Sequence, residues 1–261
     1  MKITFLGTGH AWGTPEVGCS CPACLDAQKE NSKSRRTRTA ILIELTTKER
    51  ILIDCGPDIR DQLLKREQLL NELNELKKKE AKLKPLDILL ISHEHTDHIN
   101  GLDELDKRTI YPGISISDLP KEMRTKGIEI IPFKTYHGRT ARGSVGFIIM
   151  AEKKKIIYTS DLWDTVRDYR IYEPDKPNLL IMEANWFKEP EVQPANPHMS
   201  FERALKFTEE WNPTKTYLIH MSHEEGLTHE EWIDHVKERA EGYFKRDIDA
   251  NVSYDGEVIS L

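Results

Sequence analysis

The stretch LLISHEHTDHINGLDEL, residues 89–105, constrains the fold of this chain most. In it a wholly apolar run passes without a linker into His93, His95, Asp97 and His98. An apolar run of this length, bounded by polar residues, reads as a strand buried on both faces. On an extended segment, positions i and i+2 share a side, so His93 and His95 can grip one cation together. Asp97 and His98 begin the next helix, turned away from that pair, and can serve a second cation. Ligand-type residues at the C-terminal end of a strand are where open α/β sheets place their sites.

The rest of the chain fits that reading. KITFL, TAILIEL, RILID, LDILLIS, IEIIPF, VGFIIMA, KIIYTSD, NLLIME, KTYLIH and NVSYDGEVISL read as strands, many with β-branched residues and ending at Gly, Asp, His or Pro. Helical periodicity runs over roughly 59–82, 98–108, 200–211 and 228–244. Ser200 is the expected N-cap of SFERALKFTEEW, which Asn212-Pro213 ends. Neither an internal repeat nor a low-complexity linker is present. The expected fold class is α/β, as a single domain over 1–261 with mixed sheets and outer helices.

Further ligand-type residues stand at strand ends: His137 in FKTYHG, Asp161 in IIYTSD and His220 in TYLIH. A lone histidine after a strand is usually structural. Following H-x-H-x-D-H, these three complete the ligand set of a dinuclear site. A second cluster lies near the N-terminus, where GCSCPACLDA puts Cys19, Cys21 and Cys24 into six positions. Three is odd, Cys55 is far away, and near-neighbour cysteines rarely meet disulfide geometry. A thiolate metal site explains the spacing better, and zinc then needs a fourth ligand.

These pieces resemble the metallo-β-lactamase superfamily. Within it the chain resembles the phosphoribosyl 1,2-cyclic phosphodiesterases of the carbon–phosphorus lyase pathway. The resemblance rests on GTG, GCSCPAC, RRTRTAILIE, ILIDCGPDIRDQLL, SHEHTDHINGLDEL, YHG, YTSD, ANPHMS and LIHMSH, in order along nearly the whole chain. It implies a four-layer αββα sandwich with mixed sheets and two divalent ions, Mn or Zn. His93, His95 and His137 would hold one ion, Asp97, His98 and His220 the other, and Asp161 would bridge them. Ions roughly 3.5–4 Å apart would polarise a bridging water to hydroxide and stabilise a phosphorane-like transition state. The resemblance makes Asp97 and His198 the catalytic pair, His198 holding a phosphoryl oxygen or protonating the leaving oxygen. It assigns His223 to the cysteines, completing a Cys3His structural zinc. If LIHMSH stays extended, His220 and His223, three apart, point to opposite sides, one to each metal site.

The substrate so implied is a small cyclic or nucleotide-like phosphodiester, and relatives imply a homodimer. Two alternatives share the core: a tRNA 3′-processing endonuclease, and a cofactor-biosynthesis accessory protein of the pyrroloquinoline quinone type. With 38 Lys and Arg against 44 Asp and Glu, the net charge of −6 offers no global positive field for nucleic acid or an anionic membrane. No run approaches a membrane span. MKITFLGTGH breaks at Gly7, too early for a signal peptide, so the cytoplasm is the expected location.

Several features have blander readings. GTGHAWG is not a dinucleotide fingerprint but a glycine-rich turn after the first strand, with His10 beside the site only by inference. KSRRTRT, Lys33 to Thr39, reads as a solvated basic loop, and His229 and His235 as solvated helix positions. Cys55 reads as a small buried filler. Two departures from the family stand out. A helical insertion around 62–84 offers Leu69, Leu73, Leu76 and Leu83 as a buried stripe. The segment between His98 and His137, which helps wall the pocket in relatives, is short.

Overall fold

In a computed structural model the described residues are 1–66, 86–105, 123–138, 140–141, 144–165, 176–188, 198–243 and 249–261. Beyond Arg66 the 62–84 insertion, its leucine stripe, and residues 106–122 of the short segment lie outside them. The apolar runs form strands of two mixed sheets. One has the order β13 (Val258–Ser260), β1 (Lys2–Gly7), β2 (Ala40–Glu44), β3 (Arg50–Ile53), β4 (Ile88–Leu90). The other has the order β12 (Ala250–Val252), β11 (Lys215–Ile219), β10 (Leu179–Glu183), β8 (Lys154–Tyr158), β7 (Val145–Ala151), β6 (Ile128–Tyr136), β5 (Met123–Thr125). A two-residue β9 (Asp164–Thr165) pairs with β6. β8, β10, β11 and β12 run parallel, and the β5–β8 neighbours are antiparallel.

Strand alternation explains why these runs are apolar at every position. Ile41 and Ile43 of β2, Ile51 and Ile53 of β3, Phe147 and Ile149 of β7, and Leu179 and Ile181 of β10 face one shared core between the sheets. Phe5 stacks on Tyr217 across it, ring centroids 5.0 Å apart. Leu42 and Leu52 point the other way, onto Ile59 and Leu63 of α2 (residues 59–66). Ile148, Ile157, Leu180 and Met182 meet α4 (Phe201–Trp211) and α5 (His229–Tyr243) through Leu205, Trp211, Trp232 and Val236. Both faces of both sheets are covered, so period-two patterning gives way to continuous hydrophobicity. This is the expected αββα sandwich.

Local signals held for α4, where Ser200 Oγ accepts from Arg203 N at 3.3 Å and Asn212 ends the helix at φ 47°. They misread three places. NVSYDGEVISL is not one strand: a turn at Asp255-Gly256 sends β12 to one sheet and β13 to the other. Within the described part of the expected 98–108 helix, residues 98–105, there is α3 (Thr96–Ile99) and then a 3₁₀ turn (Leu102–Glu104), because Gly101 N–H is drawn onto Cys55 C=O at 2.8 Å. The cysteine loop holds a short helix, α1 (Pro22–Asp26), begun by Pro22 and capped by Cys21.

Candidate metal centre

The strand ends deliver their polar residues to one rim of the sandwich. β4 leads to His93 and His95, and α3 carries Asp97 and His98. β6 leads to His137, β8 to Asp161, β10 to Glu183, and β11 to His220. Close backbone approach makes this possible: a Cβ on Gly56, after β3, would lie 2.0 Å from the Asp97 carbonyl oxygen.

All seven expected ligands come together, in two groups that share Asp161: His93, His95, His137 with Asp161, and Asp97, His98, His220 with Asp161. Asp161 Oδ2 lies 3.6 Å from His93 Nε2 and 3.5 Å from His137 Nε2. Its Oδ1 lies 3.3 Å from His98 Nε2 and 3.1 Å from His220 Nε2. Asp97 Oδ2 stands 3.1 Å from His98 Nε2 and 3.6 Å from His220 Nε2. His98 Nε2 and His220 Nε2 are buried and make no hydrogen bond among the described residues, despite these carboxylates. Orphaned imidazole nitrogens aimed at carboxylate oxygens are what a cation would satisfy.

A layer behind the ligands fixes their tautomers. Asp54, fully buried at the end of β3, accepts from His98 Nδ1 at 2.9 Å, Ser92 N at 2.7 Å, Ser92 Oγ at 2.9 Å and Tyr158 Oη at 2.8 Å. Ser92 Oγ spends its hydrogen on Asp54, so it accepts from His93 Nδ1 at 3.0 Å. One carboxylate thus turns the Nε2 lone pairs of His93 and His98 inward, one in each group. Thr140 Oγ1 lies 3.1 Å from His95 Nε2, leaving Nδ1 toward His93 Nε2, 3.0 Å away. Two imidazole nitrogens that close suit a shared ion at metal–nitrogen bonds of ~2.1 Å.

Electrostatics follow the same division. Burial would raise the Asp97 and Asp161 carboxyls, but the neighbouring imidazoles hold both well below the usual carboxylate range. Burial lowers His93, and the adjacent His98 lowers it further. For His98 burial is outweighed by Asp161, Asp97 and Asp54, which raise it.

His198 stands beside this set, 3.9 Å from Asp161 through Nδ1, its ring stacked on His220 with centroids 5.1 Å apart. Its Nδ1 is hydrogen-bonded to Glu183 Oε1. Burial would push its pKa down, yet the Glu183 carboxylate lifts it to about 9. Glu183 also accepts from Leu162 N at 2.6 Å.

Cys19, Cys21, Cys24 and His223 form a separate group. His223 Nδ1 is 3.6 Å from both Cys19 Sγ and Cys21 Sγ, and the cysteines are free. Backbone N–H groups of Cys21, Cys24 and Glu16 donate to Sγ of Cys19, Cys21 and Cys24 at 3.5, 3.4 and 3.4 Å. Burial pushes the Cys24 thiol up to about 12, so only a nearby positive charge would keep it a thiolate. The two histidines part differently from the expectation of an extended segment. His220 takes left-handed backbone at φ 56°, and Met221 then docks on the β1 loop, its N–H on Thr8 C=O at 3.1 Å.

Other readings are corrected. His229 is buried rather than solvated, with Nδ1 accepting from Arg36 Nη2 at 3.2 Å. Arg36, in the basic run read as a solvated loop, is buried and donates also to Thr8 Oγ1 and Ser253 C=O. His235 is half-buried against Phe187. His10 is buried with its ring 5.3 Å from His223. Cys55, by contrast, is fully buried, as its reading as a small filler expects. Asp54, Ser92, Tyr158, Glu183 and Glu16 escaped the sequence reading. Asp54 and Glu183 carried the signal that found Asp161, an acid closing an apolar strand.

The sequence profile of the metallo-beta-lactamase superfamily matches residues 35–192. Among curated relatives, an octanoyltransferase of Porphyromonas gingivalis is 42% identical over 110 residues, 42% of this chain and 18% of that protein. Coenzyme PQQ synthesis protein B of Methylobacterium radiotolerans is 29% identical over 103 residues, 39% of this chain and 32% of that protein. The chain therefore spans well under half the length of these relatives. A diphosphatase from the PhnP family superposes with TM-score 0.71 at 20% identity, covering 100% of this chain and 97% of that one. Zinc-bound PqqB from Methylobacterium extorquens gives 0.73 at 15% identity, covering 100% of each chain. Human tRNase Z, short form, gives 0.61 at 18% identity, covering 100% of this chain and 99% of that one.

Proposed function

The chain belongs to the metallo-β-lactamase superfamily of hydrolases, and from that premise we propose a metal-dependent phosphodiesterase acting on a small cyclic or nucleotide-like phosphodiester. The observation that carries the reading is Asp161, whose two oxygens face two separate imidazole sets. His93, His95 and His137 would hold one divalent ion, Asp97, His98 and His220 a second, and Asp161 both. Two ions held there supply activation of water and neutralisation of phosphate charge.

The chain's own residues do the rest. Only two of the seven ligands, Asp97 and Asp161, are carboxylates, so a loaded site keeps the positive charge that attracts a phosphodiester anion. Asp54 orients His93 and His98. His198, its Nδ1 committed to Glu183, presents its other ring edge as proton donor to the leaving oxygen. Cys19, Cys21, Cys24 and His223 would hold a structural zinc, which would tie the N-terminal loop to the segment following His220. Among the described residues no helix is long and apolar enough to cross a membrane. We take the protein as one hydrolase domain acting as a cytoplasmic homodimer, its mass checked by light scattering.

The test is hydrolysis by the Mn- or Zn-reconstituted protein of ribosyl 1,2-cyclic phosphate, an aryl phosphodiester and precursor tRNA, side by side. Turnover of the small diesters with intact tRNA is expected; cleavage of tRNA alone overturns the reading in favour of a processing nuclease. The similarity to coenzyme PQQ synthesis protein B favours a second reading, an accessory role in cofactor biosynthesis. A folded, metal-loaded protein inert on all three substrates would support that one instead. The octanoyltransferase match covers too little of that protein to bring acyl transfer with it.

A further inference from the structure

Glu16 acts on two ligands of the Cys3His cluster at once. Its backbone N–H donates to Cys24 Sγ at 3.4 Å, and its carboxylate Oε2 lies 2.6 Å from His223 Nε2. A tight turn locks it to a third: Cys19 N–H donates to Glu16 C=O at 3.1 Å. Gly18 is the third residue of that turn, at φ 83°, a left-handed position that glycine takes without strain. Both ends of the Glu16 peptide are therefore tied to the cluster, which keeps its side chain within reach of His223.

An ionised carboxylate only accepts, so the short contact places the His223 proton on Nε2 and leaves the lone pair on Nδ1. That is the atom facing the sulfurs, 3.6 Å from both Cys19 Sγ and Cys21 Sγ. Zinc–sulfur bonds of ~2.3 Å and zinc–nitrogen bonds of ~2.0 Å at a tetrahedral angle put the two ligand atoms ~3.5 Å apart, so the observed edges fit one ion.

We infer that Glu16 is a positioning residue for zinc at Cys19, Cys21, Cys24 and His223: it selects the His223 tautomer that offers Nδ1 and raises the basicity of that nitrogen. The inference rests on reading the cluster as a structural zinc site. Two effects of the carboxylate oppose each other. Its acceptor oxygen serves the imidazole, while its negative charge opposes in small part the lowering of the Cys19 thiol that comes chiefly from the Cys21 backbone N–H. Glutamine keeps an acceptor without the charge; alanine keeps neither. Both leave the backbone bond to Cys24 in place.

The experiment is chelator competition for the cluster zinc in the full-length protein, wild type against Glu16→Ala and Glu16→Gln. In parallel, nitrogen-15 spectra of the zinc-loaded wild type identify the metal-bound nitrogen of His223. Alanine should weaken zinc binding by ~10–100-fold, as loss of a partner behind a metal histidine does, and glutamine should restore most of it. The spectra should show Nδ1 bound to metal and Nε2 protonated. A change on alanine below about tenfold, no rescue by glutamine, or binding through Nε2 overturns the role of Glu16. A wild-type chain that carries no zinc at these cysteines overturns the cluster reading itself, a distinguishable failure.

Discussion

Replacing Asp54 by asparagine should damage either the stability of the metal-free protein or the affinity of the second ion, and the structure sets the size of each. Asp54 Oδ2 accepts three hydrogens, from Ser92 Oγ, His98 Nδ1 and Tyr158 Oη, while Oδ1 accepts one, from Ser92 N. An asparagine must put its NH2 on one side or the other. With NH2 in place of Oδ1, it faces the Ser92 backbone N–H, and a buried donor without a partner costs ~1–3 kcal/mol. With NH2 in place of Oδ2, both hydroxyls can rotate and accept, but His98 must surrender its Nδ1 proton to Nε2. That nitrogen then cannot hold a metal, and affinity falls by ~10–100-fold, equivalent to ~1.4–2.7 kcal/mol. Urea unfolding of the metal-free variant reads the first outcome, and chelator competition on the loaded variant reads the second. Wild-type unfolding together with wild-type metal affinity would refute the role given to Asp54.

Further outcomes follow from the same geometry. Asp97→Ala removes a ligand of the second group and should lower metal occupancy and nearly abolish diesterase turnover; unchanged activity on an aryl phosphodiester contradicts the assignment. His198→Ala should retain both ions and slow turnover by ~10²–10⁴, with a smaller loss for acidic leaving groups, and a missing ion on elemental analysis would make His198 a ligand. Cys24→Ala and His223→Ala should each remove about one zinc per chain and lower thermal stability while the catalytic ions stay; unchanged zinc in both dissolves the proposed site. His229 is held neutral, its pKa lowered from 6.5 to about 3 by burial and then by Arg36. Between those values the unfolded chain binds the extra proton, so the stability His229 contributes is complete above about pH 6.5 and lost as pH falls toward 3. Urea midpoints at pH 7 and 4.5 should differ more for wild type than for His229→Asn, and equal shifts would exclude this histidine as a cause.

The sequence showed what each residue offers and hid what it is offered to. His137, Asp161 and His220 were legible because each closes an apolar run, where a charged or imidazole group is costly to bury unpaired, and because H-x-H-x-D-H had already called for further ligands. Asp54 was passed over in LIDCGPD, since its partners come from Ser92, His98 and Tyr158, as many as 104 positions away. The same distance misled the reading of His229 and Arg36. Each looks solvated in its own segment, and each is buried because the other neutralises its need for water across 193 positions. Local pattern fails in a consistent direction here: it assigns polar residues to solvent unless they repeat. H-x-H-x-D-H and C-x-C-x-x-C repeat within one loop, so their partners are near in sequence and visible. Glu183 meets His198 from the segment before α4, and Glu16 meets His223 from the loop after β11, so only the fold makes each pair neighbours. The partners behind the ligands are therefore the part of the site that the fold, not the motif, determines. Substitutions at Asp54, Glu183 and Glu16 thus separate this chain's own chemistry from what any chain with the same ligands would do.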